Sequence, residues 1–530
     1  LMMLVAISKT LAGKMDMKII YLKIIIKLRP TNVWPFFNIM KNFFIVILIF
    51  FVSNNILSQV SRSIEAESSV VTNHFVTVNG TRIPYSATAG TLPVWSEDDN
   101  AVATLFYTYY KRSDVKDIKN RPIFFSFNGG PGAASIWMHM GYTSPRTLNI
   151  DDEGYPVQPY GIKDNPHSII DVADIVYVNP VNVGLSRILD KDYDRSKFFG
   201  VNSDIEYLAQ WIEDFINKYN RWLSPKYLIG ESYGTTRCSG LALELQSRYH
   251  TTYLNGVILV SPTGLGIDRD GPVGSALRLP YFAATAWYHD KLDDDLQKME
   301  LLDLLEVVEK FTVEEFLPAI TLGNSITDEK RSEIAKIASK YSGLSTRDFI
   351  DNNLDVTDQY FWKKLLYDEG FILGRLDSRY RGIDKKNSGV SVGSYPELDA
   401  WDHAFTPAMQ YYLNNELNYK TNMNYNVWGN VRPWNRDNDR TGDNLRQAMA
   451  KNPFLNVMIQ SGYYDGATQY FDAKYTMWHI DPSGKMKDRL SFKGYESGHM
   501  MYLRREDLKN SNDDIREFIK NTLPTVPAKY

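Results

Sequence analysis

The chain's clearest signal is a set of short, uniformly apolar runs, each closed by Gly, Pro, Asn or Ser. PIFFSF (122–127), ADIVYVNP (173–180), KYLIG (226–230), GVILVSP (256–262) and FLNVMIQSG (454–462) all have this form. Runs without polar alternation are what a parallel sheet covered on both faces requires. Two earlier stretches, HFVTVNGTRIPYSATAG and AVATLFYTYY, predict antiparallel strands at a sheet edge, with Asn79-Gly80 as the hairpin turn. Between strands, Ile205, Leu208, Ala209, Ile212, Phe215 and Ile216 make one helical stripe, and Ser203-Asp204-Ile205-Glu206 predicts a capping box at its start. Strand and helix therefore alternate, which predicts a doubly wound, mostly parallel α/β sheet.

The rhythm breaks between about residues 266 and 449. That stretch is first helical and charged (LDDDLQKMELLDLLEVVEKFTVEEFL), then rich in Asn, Tyr and Trp (YYLNNELNYKTNMNYNVWGNVRPWNR). The sheet pattern resumes at Phe454. The expected organisation is a core from 60–265 and 450–530, with 266–449 as a largely helical insertion capping the sheet's C-terminal edge. Trp428 and Trp434 are candidates for lining a pocket there, or for packing the cap alone.

Met40-Lys41-Asn42, the apolar run FFIVILIFFV and the polar exit SNNILSQ together read as a secretory signal peptide over 40–59. The apolar run is short for a membrane span. Residues 1–39 begin with Leu and carry Lys18, Lys23 and Lys27 within their apolar stretch, so they read as an over-long gene start rather than a membrane anchor. A secreted chain with one cysteine, Cys238, has no intrachain disulfide and fits a bacterial periplasm. Cys238 itself reads as a buried apolar residue of a helix. A net charge of −4 over 530 residues gives no basic excess for nucleic acid. No metal-ligand spacing or phosphate-binding loop stands out, so no metal and no cofactor are expected. The oligomeric state is not readable.

Candidate chemistry begins at Gly230-Glu231-Ser232-Tyr233-Gly234. It matches G-x-S-x-G and lies between the strand KYLIG and a segment that can form a helix. Such a nucleophile elbow predicts the α/β-hydrolase fold, whose triad runs Ser, acid, His along the chain. Of eight histidines, only His479 and His499 follow the last apolar run. His479 sits within a helical stretch, whereas His499 follows the strand RLSFKGY in a loop, where a general base can reach the elbow. The acid is expected at the end of the preceding strand, which places Asp465; Asp472 and Asp481 read as solvent-facing. Ser232 is thus the expected nucleophile, His499 its base, and Asp465 the group that orients the imidazole. The loop Asn128-Gly129-Gly130-Pro131-Gly132 ends another strand. It offers Gly130, with the N–H of Tyr233, as an oxyanion hole.

Taken together, FNGGPGAAS, DIVYVNPVNVGLS, GESYG, GYYDGAT and GHMMY resemble the motifs of the serine carboxypeptidases in order and spacing, from about 75 to 520. The lack of disulfides, with MHMGYTSPR and GRLDSRYRG, is closer to bacterial members. The resemblance implies an exopeptidase that releases residues from free peptide C-termini through an acyl-enzyme. It also implies that Asn128 and Glu231 bind the substrate's terminal carboxylate, Glu231 as a protonated carboxyl. Many members carry a second Glu about fourteen residues after the Asn; here that position is Tyr142, and MHMGYTSPR contains no acid. Tyr142 or Arg146 is the expected substitute, and without the second carboxyl the basis for a strong acid preference is weakened. An esterase or acyltransferase on the same triad is the first alternative. A non-catalytic binding protein on a hydrolase frame is the second.

Overall fold

The computed structural model describes residues 62–437 and 439–523. The expectations for 1–39 and for a signal peptide over 40–59 fall outside the described residues. Among those described, no helix is long and apolar enough to cross a membrane.

The edge hairpin pairs β1 (Ser68–Val78) with β2 (Thr81–Trp95), and β2 in turn pairs antiparallel with β3 (Ala101–Arg112). Asn79 and Gly80 both take positive φ, 48° and 78°, as a tight hairpin whose twist matches its strands requires. Alternate residues of β1 are more exposed, the mark of a strand with one face toward solvent.

The apolar runs become β4 (Ile123–Phe127), β5 (Asp174–Val178), β6 (Lys226–Glu231), β7 (Gly256–Val260) and β8 (Asn456–Gly462), and a last strand, β9 (Leu490–Tyr495), closes the series. Every residue of β4, β5, β6 and β7 is buried, so these strands are covered on both faces. The ten-stranded sheet runs β1-β2-β3-β5-β4-β6-β7-β8-β9, with the short strand Arg187–Ile188 alongside β3. The pairings from β5 to β9 are all parallel. This is a mixed, mostly parallel α/β sheet.

Helix α1 (Val201–Lys218) carries the expected stripe, but its start corrects the expected capping box. It begins two residues before Ser203, at an N-cap Gly200 that makes no side-chain bond. Its first N–H donates instead to the carbonyl of Asn435, 2.9 Å away, and Asp204 is turned inward to a buried ion pair. A tertiary carbonyl thus replaces the local cap.

Helix α2 (Tyr233–Ser247) packs against α1, β6 and β7. Beyond β7, α3 (Leu279–Tyr288), α4 (Leu301–Phe311) and α5 (Asp328–Ser342) share a hydrophobic cluster containing Phe282, Phe316, Phe361 and Trp362. Helix α6 (Pro396–Asn415) instead buries Trp401, Phe405 and Tyr412 in the cluster of the main sheet, and α7 (Thr441–Lys451) packs on α2. Helices α8 (Tyr470–Ile480) and α9 (Arg505–Thr522) follow β8 and β9.

Candidate active site

Strand β6 ends at Glu231, and the chain reverses within one residue into α2. Ser232 makes that reversal at φ 56° and ψ −125°, a conformation that costs energy for any residue with a side chain. A Cβ on Gly230 would lie 2.2 Å from the carbonyl oxygen of Gly234, so the elbow closes only with glycine there. Ser232 is held by its N–H donating to the Val260 carbonyl, 3.0 Å, and by its own carbonyl accepting from the Thr235 N–H, 2.9 Å.

The loop after β4 runs against this elbow. A Cβ on Gly129 would stand 2.5 Å from the Tyr233 nitrogen. Arg237, one turn into α2, pins the loop by donating to the carbonyls of Asn128 and Pro131, each at 2.7 Å. The Gly129 carbonyl accepts from Ala133 N–H at 3.1 Å. A trans peptide directs its N–H opposite its carbonyl, so the Gly129 and Gly130 N–H groups face away from these partners. Tyr233 is the first residue of α2, where an N–H has no acceptor one turn back.

Arg237 is fully buried and paired with Asp204 at 2.6 Å, and Asp204 also accepts from the Tyr207 hydroxyl at 2.8 Å.

At the ends of β8 and β9, the loops carrying Asp465 and His499 are stitched together. Tyr463 N–H donates to the Tyr495 carbonyl at 2.9 Å, and Tyr464 N–H to Ser497 at 3.0 Å. His499 Nδ1–H donates to Asp465 Oδ2 at 2.7 Å. Asp465 Oδ1 accepts from the N–H groups of Ala467 and Thr468 at 2.8 and 3.0 Å, and the Thr468 hydroxyl donates to Oδ2 at 2.8 Å. Burial pushes the His499 imidazole down, but the charge and hydrogen bond of Asp465, with the charge of Glu231, outweigh it and leave the group above its ordinary value.

Ser232 and His499 line one cavity of about 190 Å³, together with Asn128, Gly130 and Glu231. Asn128 Nδ2 donates to Glu231 Oε1 at 2.7 Å, and Asn128 Oδ1 accepts from Met138 N–H at 3.0 Å, which fixes the orientation of the amide. Burial raises the Glu231 carboxyl to about 7, against the opposing charge of His499 and the hydrogen bonds from Tyr502 and Asn128.

Several expectations are corrected. Tyr142 does not reach Glu231: its hydroxyl donates to Gln460 Oε1 at 2.7 Å, while its ring stacks on Tyr502. Arg146 is committed to Glu416 and Asp164, at 2.7 and 2.5 Å. The side chain that meets Glu231 Oε2 is the Tyr502 hydroxyl. Asp472 is not free in solvent but pairs with Arg269 at 3.0 Å, and Asp481 is buried, accepting from Met486 N–H at 2.6 Å. His479 lies exposed on α8, donating to the Tyr475 carbonyl at 2.8 Å. Trp428 does line the cavity, its ring 5.1 Å from that of Trp137, whereas Trp434 packs edge-on against the Tyr233 ring.

Sequence reading missed three features. Tyr502 was visible only as the last residue of GHMMY, and Arg237 only as a charge on a helix. The third is the loop from Arg375 to Ser378, which overlies the two catalytic-loop candidates. The Leu376 carbonyl accepts from His499 N–H at 2.6 Å, the Arg375 carbonyl from Gly466 N–H at 3.0 Å, and Ser378 N–H donates to the Tyr464 carbonyl at 2.9 Å. Buried Glu397 on α6 holds the loop by accepting from Leu376 N–H at 2.7 Å. Nothing local in GRLDSRYRG marks it for that position.

A mostly parallel sheet, a strained serine between strand and helix, and an imidazole–carboxylate pair beyond the next strands define the class: an α/β-hydrolase. Comparison with known proteins narrows this. The serine carboxypeptidase family model matches residues 79–477, more than half of the chain, ending before His499. The chain belongs to the serine carboxypeptidase family. It is 28% identical over 158 residues to the pheromone-processing carboxypeptidase KEX1 of Saccharomyces cerevisiae, covering 27% of this chain and 20% of that protein. It is 26% identical over 209 residues to the retinoid-inducible serine carboxypeptidase of Rattus norvegicus, covering 38% of this chain and 41% of the relative. These matches thus span well under two thirds of the relatives' lengths. Among solved structures, that of the yeast prohormone-processing carboxypeptidase superposes with a TM-score of 0.50 at 15% identity, covering 82% of this chain and 91% of the other, a likeness of fold.

Proposed function

We propose that this protein is a serine-type carboxypeptidase that releases amino acids from the free C-termini of peptides through an acyl-enzyme. The observation that carries this reading is the buried Asn128–Glu231 pair, joined at 2.7 Å, in the same cavity as Ser232 and His499. Asn128 Nδ2 has two N–H donors: one goes to Glu231 and the amide also bonds the Tyr502 hydroxyl, a bond that a ligand oxygen would take over. Glu231, when protonated, adds an O–H donor. Two such donors at the end of a cavity suit a terminal carboxylate, whereas an ester substrate without a carboxylate has no call on them.

In this mechanism the terminal carboxylate binds at Asn128 and Glu231, which sets the last peptide bond over Ser232. Ser232 Oγ attacks the scissile carbonyl carbon while His499 Nε2 takes its proton, and Asp465 stabilises the imidazolium through Nδ1–H. The Gly130 and Tyr233 N–H groups receive the oxyanion. His499 returns the proton to the leaving amine, the C–N bond breaks and the terminal amino acid departs. Water, deprotonated by His499, then hydrolyses the acyl-enzyme. The signal-peptide reading of 40–59 supports action on peptides outside the cytoplasm, secreted or periplasmic.

The test is release of the terminal residue from a panel of N-blocked dipeptides. Release by the native protein, reduced by roughly 10⁴-fold or more in Ser232→Ala, is the expected result. Hydrolysis of small esters without any release from dipeptides would move the reaction to an esterase or acyltransferase.

A further inference from the structure

Beside the proposed carboxylate-binding pair sits a phenol that the reaction steps above do not use. Tyr502 lies three residues past His499, in the helical turn Met501–Leu503, and is completely buried. Its hydroxyl donates to Glu231 Oε2 while Asn128 donates to Oε1, so each oxygen of the carboxyl has its own protein donor. The ring is held as firmly as the hydroxyl. Tyr142 stacks on it at 4.6 Å between centroids and 12° between planes. A Cβ on Gly141 would stand 2.8 Å from a Tyr502 ring carbon, so the turn Met138–Tyr142 admits the ring only because Gly141 has none. Tyr142 is itself anchored to Gln460, which donates to the Tyr495 hydroxyl at 2.9 Å and the Ser511 carbonyl at 3.1 Å.

The ionisable groups acting on Glu231 are His499, Asp465 and the phenols of Tyr502 and Tyr142, with Arg375 acting on His499 from the overlying loop. Burial keeps the Tyr502 phenol protonated far beyond neutrality, so no second charge develops beside Glu231 as pH rises. A donor to a carboxylate favours its ionised form, and the Tyr502 bond therefore works against the burial that raises Glu231.

We propose that Tyr502 is a positioning residue of the carboxylate-binding pair: its hydroxyl fixes the Glu231 carboxyl against Asn128 and sets the pH at which the pocket releases a peptide's terminal carboxylate. The inference rests on the functional reading above and adds to it the group that tunes the clamp. In the binding-competent state Glu231 carries a proton directed at the ligand, and Tyr502 and Asn128 remain on its other lone pairs. As pH rises the proton leaves, two anions face each other, and the peptide is let go.

Tyr502→Phe keeps the ring, its volume and its stack on Tyr142 and removes only the donor. kcat and KM are measured across pH on an N-blocked dipeptide, with an ester lacking a free carboxylate as the reference profile. The rise in peptide KM is expected to move to higher pH by about one to two units, the equivalent of losing one hydrogen bond to a charged group. An unmoved peptide limb, or peptide and ester profiles shifting together, overturns the role. Infrared titration of the Glu231 carboxyl, identified by its loss in Glu231→Gln, reads the same shift without catalysis; an unshifted band overturns the proposal. Native protein that releases no C-terminal residue, with the band shifted in Tyr502→Phe, would sink the functional reading and leave the hold of Tyr502 on Glu231 standing.

Discussion

A carboxyl can bind another carboxyl only while one of them carries a proton, and Glu231 sits where burial, the largest influence on it, keeps that proton on up to about 7. The consequence for binding has a definite sign. In the proposed reading, Glu231 donates to a terminal carboxylate below that pH and the two groups repel above it, so peptide KM is expected to rise as pH passes through neutrality. As the proposed base His499 must be neutral, and its raised pKa is expected to make kcat/KM fall as pH drops. Glu231→Gln, a donor that does not titrate, is expected to remove the alkaline rise in peptide KM and leave the acid limb in place; steady-state profiles on peptide and ester check this. The same shift acts on stability. A carboxyl with a folded value of about 7 and an ordinary value of 4.5 contributes stability that is full below about 4.5 and lost as pH rises through 7. Above pH 7 Glu231→Gln should therefore be more stable than the native protein, by on the order of 2 kcal/mol, in urea melts.

At the scale of elements, the elbow and the glycine loop are held in register by one ion pair spanning α1, α2 and the loop after β4. Arg237 and Asp204 are each 1% exposed, and the guanidinium also carries two loop carbonyls. Arg237→Met leaves Asp204 buried without its partner, at a cost of about 3–5 kcal/mol in equilibrium unfolding. Adding Asp204→Leu to it should recover most of that stability, because the lone buried charge is gone. Activity should stay low in both variants, since the carbonyls of Asn128 and Pro131 have lost their donor. Recovery of activity along with stability would show that the loop holds its shape without Arg237. The sequence pattern foresaw α1 and its apolar stripe, yet misassigned Ser203-Asp204-Ile205-Glu206 as a capping box at its start. Their spacing fits a capping box as well as it fits a buried ion pair, and only the arrival of Arg237 and Asn435 in space separates the two.

For the molecule as a whole, one cysteine in 530 residues means that no intrachain disulfide supports the fold. Cys238 is completely buried on α2, and burial pushes its thiol far above the ordinary range. Native protein should therefore resist an aromatic disulfide reagent and bind one equivalent only when denatured, with a melting temperature indifferent to reductant; labelling in native buffer would contradict this. Strands β4 to β8 were legible because each is a short apolar run closed by turn residues, and those are local properties of the chain; the order in which the sheet pairs them was not. The positions of Ser232, Asp465 and His499 at strand ends were legible for the same reason. What surrounds them was not. Tyr502 meets Glu231 across 271 positions. Leu376, deep in a segment with no strand rhythm, supplies the carbonyl that holds His499. Tyr142 occupies the expected sequence position for a carboxylate partner but turns its hydroxyl to Gln460. By itself, then, the sequence determined the strands, the elbow and the places along the chain where its chemistry could stand, since hydrophobic periodicity and turn preference act over a few residues. The tertiary structure alone decided which side chain faces each reactive group, because burial, hydrogen-bond geometry and charge pairing depend on distance in space and not on separation along the chain.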